Sequence, residues 1–394
     1  MGGTLSNIYN NVSYALNLHT EEMTRLQEQV TTGSRVNRAS DDSSAAYQIL
    51  GLNSQQSSLG NYIDNLSSVV NSLEYSSTII EDMISSISET MTQLTQVTSG
   101  IYNEDDREMT AESINEILEQ LVTLANSEHA GQYLFGGSNT ASDPYLVERT
   151  NGKITSVTYQ GSYTNREVEV ASGLESTISL VGDKIFRCDD RGDAVFSGNT
   201  GAKAGTGTSS VRGYTWLTVT GSAGNYTLSI DGGLSTFSTD GTDTNLAVTN
   251  SVTGQVLYVD TTEITETGTD PVSIPGTYDV FSALICIRDI LNNSQNLPED
   301  QIEDMLDIPL SILNEVEGLL AQAEVSLGYK INFLDNLEEN LTDLSYDAKD
   351  EATRLQEADI AQLAIDLTRI EVLYQMSLSI AGELMSISLL DFIS

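Results

Sequence analysis

Positive charge is what this 394-residue chain has least of: 17 Lys and Arg stand against 57 Asp and Glu, a net charge of −40. That balance argues against nucleic acid as a partner, which takes clustered positive charge to hold. An anionic membrane surface is disfavoured for the same reason. The only cysteines, Cys188 and Cys286, lie about a hundred residues apart with no Cys/His grouping beside either, so neither a disulfide framework nor a zinc site can be built from them. A single Trp (Trp216) and 6% aromatic content argue against one large, dense globule. No apolar run is long enough to span a bilayer, and Met1 to Ser6 offer neither a basic nor an apolar signal region. No membrane anchor and no general secretory signal are expected. Met-Gly-x-x-x-Ser also fits the myristoylation pattern at Gly2, through loosely specified positions that match often by chance.

Catalytic vocabulary is equally thin. The two histidines, His19 and His129, both lie outside the glycine-rich middle of the chain. His19 reads as a packed or register-marking residue, with a pH-sensitive contact as the alternative. No HExxH, GxSxG or Walker-type loop occurs. Asp240, Asp243 and Asn245 could offer oxygen ligands to calcium, but the spacing completes no EF-hand loop and an acidic turn is the simpler reading. Arg191-Gly192-Asp193 likewise reads as a turn rather than a receptor motif. The chain is expected to be no enzyme and to carry no cofactor and no metal.

What is present falls into two kinds. Of the 30 glycines, 18 lie between Thr150 and Gly276. This third reads as strands and turns: Trp216 to Thr220, Tyr226 to Ile230 and Gln255 to Val259 alternate apolar with polar residues between Gly, Asn and Asp. Short strands at such spacing predict a small sandwich or barrel-like insert. Gly198 to Gly213, nearly all Gly, Ser, Thr and Ala, reads as a flexible loop.

The flanks keep a helical rhythm instead. Leu5, Ile8, Val12, Ala15, His19, Met23, Leu26 and Val30 fall three and four apart, a seam of coiled-coil type. Further seams run from Leu59 to Leu94, from Ile114 to Leu124 and from Leu313 to Leu344. A terminal seam comprises Ile360, Leu363, Leu367, Ile370, Tyr374, Leu378, Ala381 and Leu384. Each stripe is narrow and the remainder polar, so no helix can bury its stripe alone, and a lone amphipathic helix in water is marginal. The first and last helices are each other's simplest partners, antiparallel, with neighbouring copies covering what stays open. The predicted fold is mainly α with a β insert: a coaxial bundle of long helices from both termini around a Gly/Thr-rich β domain. Residues 1–40 and 355–394 would form an inner coiled-coil layer, 41–140 and 277–354 an outer helical bundle, and 141–276 the exposed insert.

Between the first two helices, Gly33 supplies a helix end, and Ser40, Asp41 and Asp42 supply a cap and first-turn acids. Arg35 and Arg38 lie between them, either in local ion pairs or against acidic surfaces of neighbouring subunits.

The segment Gln27 to Asp42, containing Gly33, Arg35, Asn37, Arg38, Ser40, Asp41 and Asp42, resembles the N-terminal signature of bacterial flagellins and hook-associated proteins. Leu121 to Asn126 followed by Gly131, Gln132, Tyr133, Leu134, Phe135, Gly136 and Gly137 is similar to the hook-filament junction members of that family, the hook-associated proteins 3. The helix opening at Glu357-Ala358-Asp359-Ile360 and ending Leu389-Leu390-Asp391-Phe392-Ile393 also looks more like those members than like a filament flagellin. The resemblance implies assembly through the N-terminal segment and through Asp359, Ile360, Leu363, Leu367, Ile370, Tyr374, Leu378 and Leu384. It further implies export through the flagellar channel with a dedicated flagellar export chaperone, and an extracellular place on the flagellum. The implied partners are copies of itself in a ring, hook-associated protein 1 below and flagellin above. Two features depart from the family pattern: an insert of about 125 residues, and no basic residue at position 2. A filament subunit, and a surface adhesin or carbohydrate-binding module on a helical stalk, remain the alternatives.

Overall fold

The computed structural model describes residues 2–98 and 104–393. Helix α1 (Gly2–Thr32) is followed by α2 (Ser43–Thr98) and α3 (Glu104–Ala125). Three hairpins come next: β1 (Glu128–His129) with β2 (Gln132–Tyr133), β3 (Tyr145–Thr150) with β4 (Lys153–Tyr159), and β5 (Arg166–Ala171) with β6 (Leu174–Ser179). After the short helix α4 (Gly182–Ile185) the chain makes β7 (Val195–Phe196), β8 (Lys203–Ala204), β9 (Gly213–Ser222), β10 (Asn225–Ser229), β11 (Phe237–Thr239), β12 (Leu246–Thr249), β13 (Val256–Asp260) and β14 (Gly268–Ile274). It returns to helix in α5 (Val280–Leu291), α6 (Glu299–Met305), α7 (Asp307–Gln356) and α8 (Ile360–Ile393). Contacts divide the chain into two units, residues 1–64 with 337–394, and residues 65–336.

In the first unit, α8 starts beside the end of α1 and runs back along it, an antiparallel pair. Leu26, Ala358 and Leu363 are its buried core, with Leu367 and Ile370 packed against them. The seam is narrower than the periodicity count. Val30 is exposed, and Gln29 is buried in its place because its side-chain amide reaches the carbonyl of Arg35, 2.7 Å away. On α8, Ile360 and Leu378 are also exposed, at 50% and 54%. At 100° per residue both fall about 60° to one side of the line through Leu363, Ile370 and Tyr374. The side chains of Leu5, Ile8 and Leu384 lie outside the described residues.

The second unit is held by apolar faces of α2, α3, α5 and α7. Leu66, Leu73, Ile80, Met83 and Ile87 of α2, and Ile114, Leu118 and Leu121 of α3, are fully shut from solvent. These residues recur at spacings of three, four and seven, so each helix turns one face inward. The β region contributes a five-stranded sheet in the order β11-β10-β9-β14-β7 and a three-stranded sheet β12-β13-β8, antiparallel throughout. Both sheets bury one cluster that includes Leu217, Val219, Leu228, Val248, Leu257, Val259 and Val272. Alternation along each strand produces this, since every second side chain points to the shared interior.

Gly198 to Gly213 corrects the reading as a flexible loop. Thr200 and Ala202 are buried, the Thr200 hydroxyl donates to the carboxylate of Asp270, and β8 inside the stretch pairs with β13. Composition suggested mobility, but these backbone groups have partners, and small side chains let the segment lie flat on the sheet.

Candidate functional site: the junction of the chain ends

Gly33 ends α1 with φ +69°, and its N–H reaches the Gln29 carbonyl at 2.8 Å. A left-handed residue here favours glycine and turns the chain sharply. The turned chain is then stitched to the α7–α8 link. Arg35 N donates to Gln356 O (2.7 Å), Ala358 N donates to Gly33 O (3.1 Å), and the buried Ser34 hydroxyl lies 3.0 Å from Val36 O and 3.3 Å from Gln356 O.

The acids divide their work differently from expectation. Asp42, not Ser40, caps α2: its Oδ1 accepts from Ala45 N at 3.0 Å, and the helix begins at Ser43. Ser40 is exposed and sits two residues before the capping position. Asp41 pins the loop instead, accepting from Asn37 N (3.1 Å) and Arg38 N (2.8 Å), while Asn37 Nδ2 donates to Ser34 O (3.1 Å). The bond from Ala45 and the Arg35 guanidinium together hold the Asp42 carboxyl below its ordinary value.

Both arginines have partners within the chain. Arg35 Nη1 pairs with Asp42 Oδ2 at 2.9 Å and its Nη2 donates to Leu355 O at 3.1 Å, while Arg38 pairs with Glu28 at 3.0 Å. At the start of α8, Asp359 Oδ1 accepts from Ala361 N and Gln362 N, both at 3.0 Å, so this residue caps the helix. Leu363 is buried against α1, Leu367, Ile370 and Tyr374 are half-buried, and Ile360 and Leu378 are open.

Sequence reasoning missed a second stripe on α8. Ile365, Val372 and Met376 are 62%, 50% and 57% exposed. Their spacing of seven and four places them on one line, roughly 180° around the helix from the seam with α1. An open apolar groove of about 600 Å³ runs along this side between Ala364 and Leu373. The seven-and-four spacing was readable, but the stronger seam with α1 masked it.

The segment Gly131 to Gly137 lies in the other unit and is a packing knot. Ala130 and Gly131, at φ +51° and +74°, form the two-residue turn of the β1–β2 hairpin. The Tyr133 hydroxyl donates to Asp143, and that bond pushes its pKa up. Phe135 is fully buried, 4.9 Å from the ring of Phe186. A Cβ on Gly136 would stand 2.2 Å from Asn139 O, and one on Gly137 2.2 Å from Ser162 O. Leu134 to Gly137 are buried and hold the fold together, while Gly131 and Gln132 are exposed at the hairpin tip.

The weighed ligand motifs are engaged internally. Asn245 Oδ1 accepts from Gly207 N at 2.7 Å, Asp243 accepts from Thr239, and Arg191 Nη1 donates to Val211 O at 2.7 Å. Among the described residues no group of three or more His, Cys, Asp or Glu is placed to hold a metal ion.

With this geometry established, likeness to known proteins is informative. Residues 5–140 match the bacterial flagellin N-terminal helical region. That stretch is thus similar to the N-terminal part of flagellins. The chain is 28% identical over 166 residues to flagellar hook-associated protein 3 of Escherichia coli K12, covering 42% of this chain and 50% of that protein. The chain thus spans about half the length of the curated relatives it matches. A solved flagellar hook-associated protein 3 of Legionella pneumophila superposes with a TM-score of 0.54 at 17% identity, over 78% of this chain and 98% of that one. The flagellar junction protein of the same organism gives 0.50 at 19%, over 78% and 100%. At that identity the likeness shows the fold: long terminal helices flanking a central antiparallel β region. The flagellin-related proteins it matches carry the names of structural flagellar components.

Proposed function

We propose that this chain is a structural, non-enzymatic component of the bacterial flagellum, forming the ring that joins hook to filament and seeds filament growth. One observation carries the reading. Helix α8 has two opposite apolar faces, one met by α1 of its own chain and one open at Ile365, Val372 and Met376. An apolar stripe of this length is buried at a gain of roughly 1.5–3 kcal/mol per large side chain. Neighbouring copies supply that cover in a ring. The likeness to hook-associated protein 3 supports placing the ring at the hook-filament junction, with hook-associated protein 1 and flagellin as neighbours and an export chaperone guarding α8 before assembly. In this reading residues 1–40 and 355–394 form the inner layer, 41–140 and 277–354 the outer bundle, and 141–276 an insert facing outward.

The flagellin region in residues 5–140 is shared with filament subunits, so the test must separate the two roles. Immunogold labelling of sheared flagella with antibody against residues 141–276 does so. A single band where hook meets filament is expected; label along the whole filament would make the protein a filament subunit, and unlabelled flagella would overturn the assignment.

A further inference from the structure

Helix α7 carries an apolar stripe that the assembly reading does not use. Val325, Tyr329 and Phe333 are 57%, 76% and 57% exposed, whereas Leu320, Leu327 and Leu334 are buried. At 100° per residue the three leucines lie about 140–180° round the helix from Tyr329. The helix thus turns one apolar face inward and a second to solvent.

That second face carries no charge. Between Gln322 and Asn336 the residues within about 60° of Tyr329 are Gln322, Val325, Ser326, Asn332, Phe333 and Asn336. Elsewhere in this unit the open helix faces are acidic: α2 exposes Glu74, Glu81, Asp82 and Glu89, and α3 exposes Glu104, Glu108, Glu112 and Glu116 at every fourth position. A basic partner would be drawn to those acids. An uncharged stripe with two open aromatic rings suits instead a partner as acidic as the chain itself, since charge depletion and aromatic enrichment mark the centre of protein interfaces.

The order of the residues identifies that partner. Counted outward from Tyr329, Ser326 and Asn332 stand three residues away on either side, Val325 and Phe333 four, and Gln322 and Asn336 seven. A two-fold axis through Tyr329 therefore sets apolar level with apolar, amide with amide and hydroxyl with amide across an antiparallel pair. Amides carry both donor and acceptor, so Gln322 and Asn336 can satisfy each other. We propose that the unassembled chain pairs with a second copy of itself through α7, antiparallel about Tyr329. Such a contact uses the same patch on both copies and closes at two. Copies in a ring that all point the same way are not related by this axis, so the pair belongs to the unassembled chain and opens before assembly. About 21 Å of one helix face buries less than the roughly 800 Å² per partner of a standard interface, which makes the pair weak and reversible.

Sedimentation equilibrium of the full chain carrying Val372→Asp, which blocks the open face of α8, tests this. A reversible monomer–dimer equilibrium that tightens with salt is expected. Adding Tyr329→Asp should weaken it about tenfold or more with the helical circular dichroism unchanged. Tyr346→Asp, at a 65% exposed position about 100° round the same helix from Tyr329, adds the same charge and should leave the equilibrium as it was. In the chain otherwise unaltered, p-benzoylphenylalanine in place of Phe333 should cross-link on irradiation to the turn around Val325 of another copy, read from mixed pairs of ordinary and heavy-isotope chains. The proposal is overturned if the chain stays monomeric throughout, if Tyr329→Asp and Tyr346→Asp act alike, or if the cross-links fall within one chain or on another surface.

Discussion

At the scale of single residues, the glycines behave in opposite ways according to what surrounds them. Gly136 is closed in by Asn139 O, whereas Gly51 sits in α2, where an added methyl group would meet nothing within 4 Å. Gly136→Ala is therefore expected to cost about 2 kcal/mol or more, because backbone must move. Gly51→Ala should instead stabilise by about 0.5–1 kcal/mol through helix propensity. Thermal unfolding of the two variants should give midpoint shifts of opposite sign. Asp42 supplies a second test at this scale. Its carboxyl is held below the ordinary 3.8 by the Ala45 N–H and by Arg35, so its contribution is present above that value and lost as pH falls through the folded one. Amide exchange at Ser43 to Ala46, corrected for intrinsic rates, should accelerate on acidification below about pH 4. In Asp42→Ala it should be fast at every pH. The segment Gly33 to Asp42 was legible as a turn between helices, since Gly and Asp carry local conformational information. Which acid caps and which pins the loop was not, because Ser40, Asp41 and Asp42 are all competent caps and only the observed start at Ser43 decides.

At the scale of elements, helices α2 and α7 meet with like charges in contact. Ser88 Oγ donates to Glu317 Oε1 at 2.8 Å, but Glu81 meets Glu324, whose pKa is raised above the ordinary 4.5 by burial and then by the Glu81 charge. A raised folded value means the protonated form is favoured in the fold. Stability from this contact is therefore full below 4.5 and lost as pH rises through the folded value. Glu324→Gln mimics the protonated form and should raise the unfolding midpoint at pH 7 by about 1 °C, since like-charge contacts cost about 0.2–0.5 kcal/mol. The shift should vanish at pH 4, where the wild-type carboxyl is itself protonated. Helix positions and lengths were readable from spacing because the 3.6-residue period is a property of the chain. The exact line of each seam was not: Gln29 displaces Val30 through a hydrogen bond to Arg35 O, a contact made only once the chain has turned back at Gly33.

At the scale of the whole molecule, charge and apolar surface oppose each other. Copies carrying −40 repel, while the open face of α8 favours association. Assembly should accordingly strengthen with salt, as the Debye length shortens to about 8 Å at 0.15 M. Light scattering from low to molar salt checks this; assembly indifferent to salt would contradict it. Val372→Asp should abolish assembly while leaving the helical circular dichroism of the monomer unchanged, because Val372 faces away from α1. Loss of helix in the monomer would show that this face is already covered within the chain. What the sequence by itself determined was the mainly α architecture, the β middle and the partnership of the two end helices. Those follow from periodicity and turn residues, which act locally or through one repeated face. Tertiary structure alone decided that Gly198 to Gly213 is pinned to a sheet and that Leu134 to Gly137 lie in the interior. Each depends on residues far apart in the chain meeting at hydrogen-bond or van der Waals distance, and no local spacing encodes such a meeting.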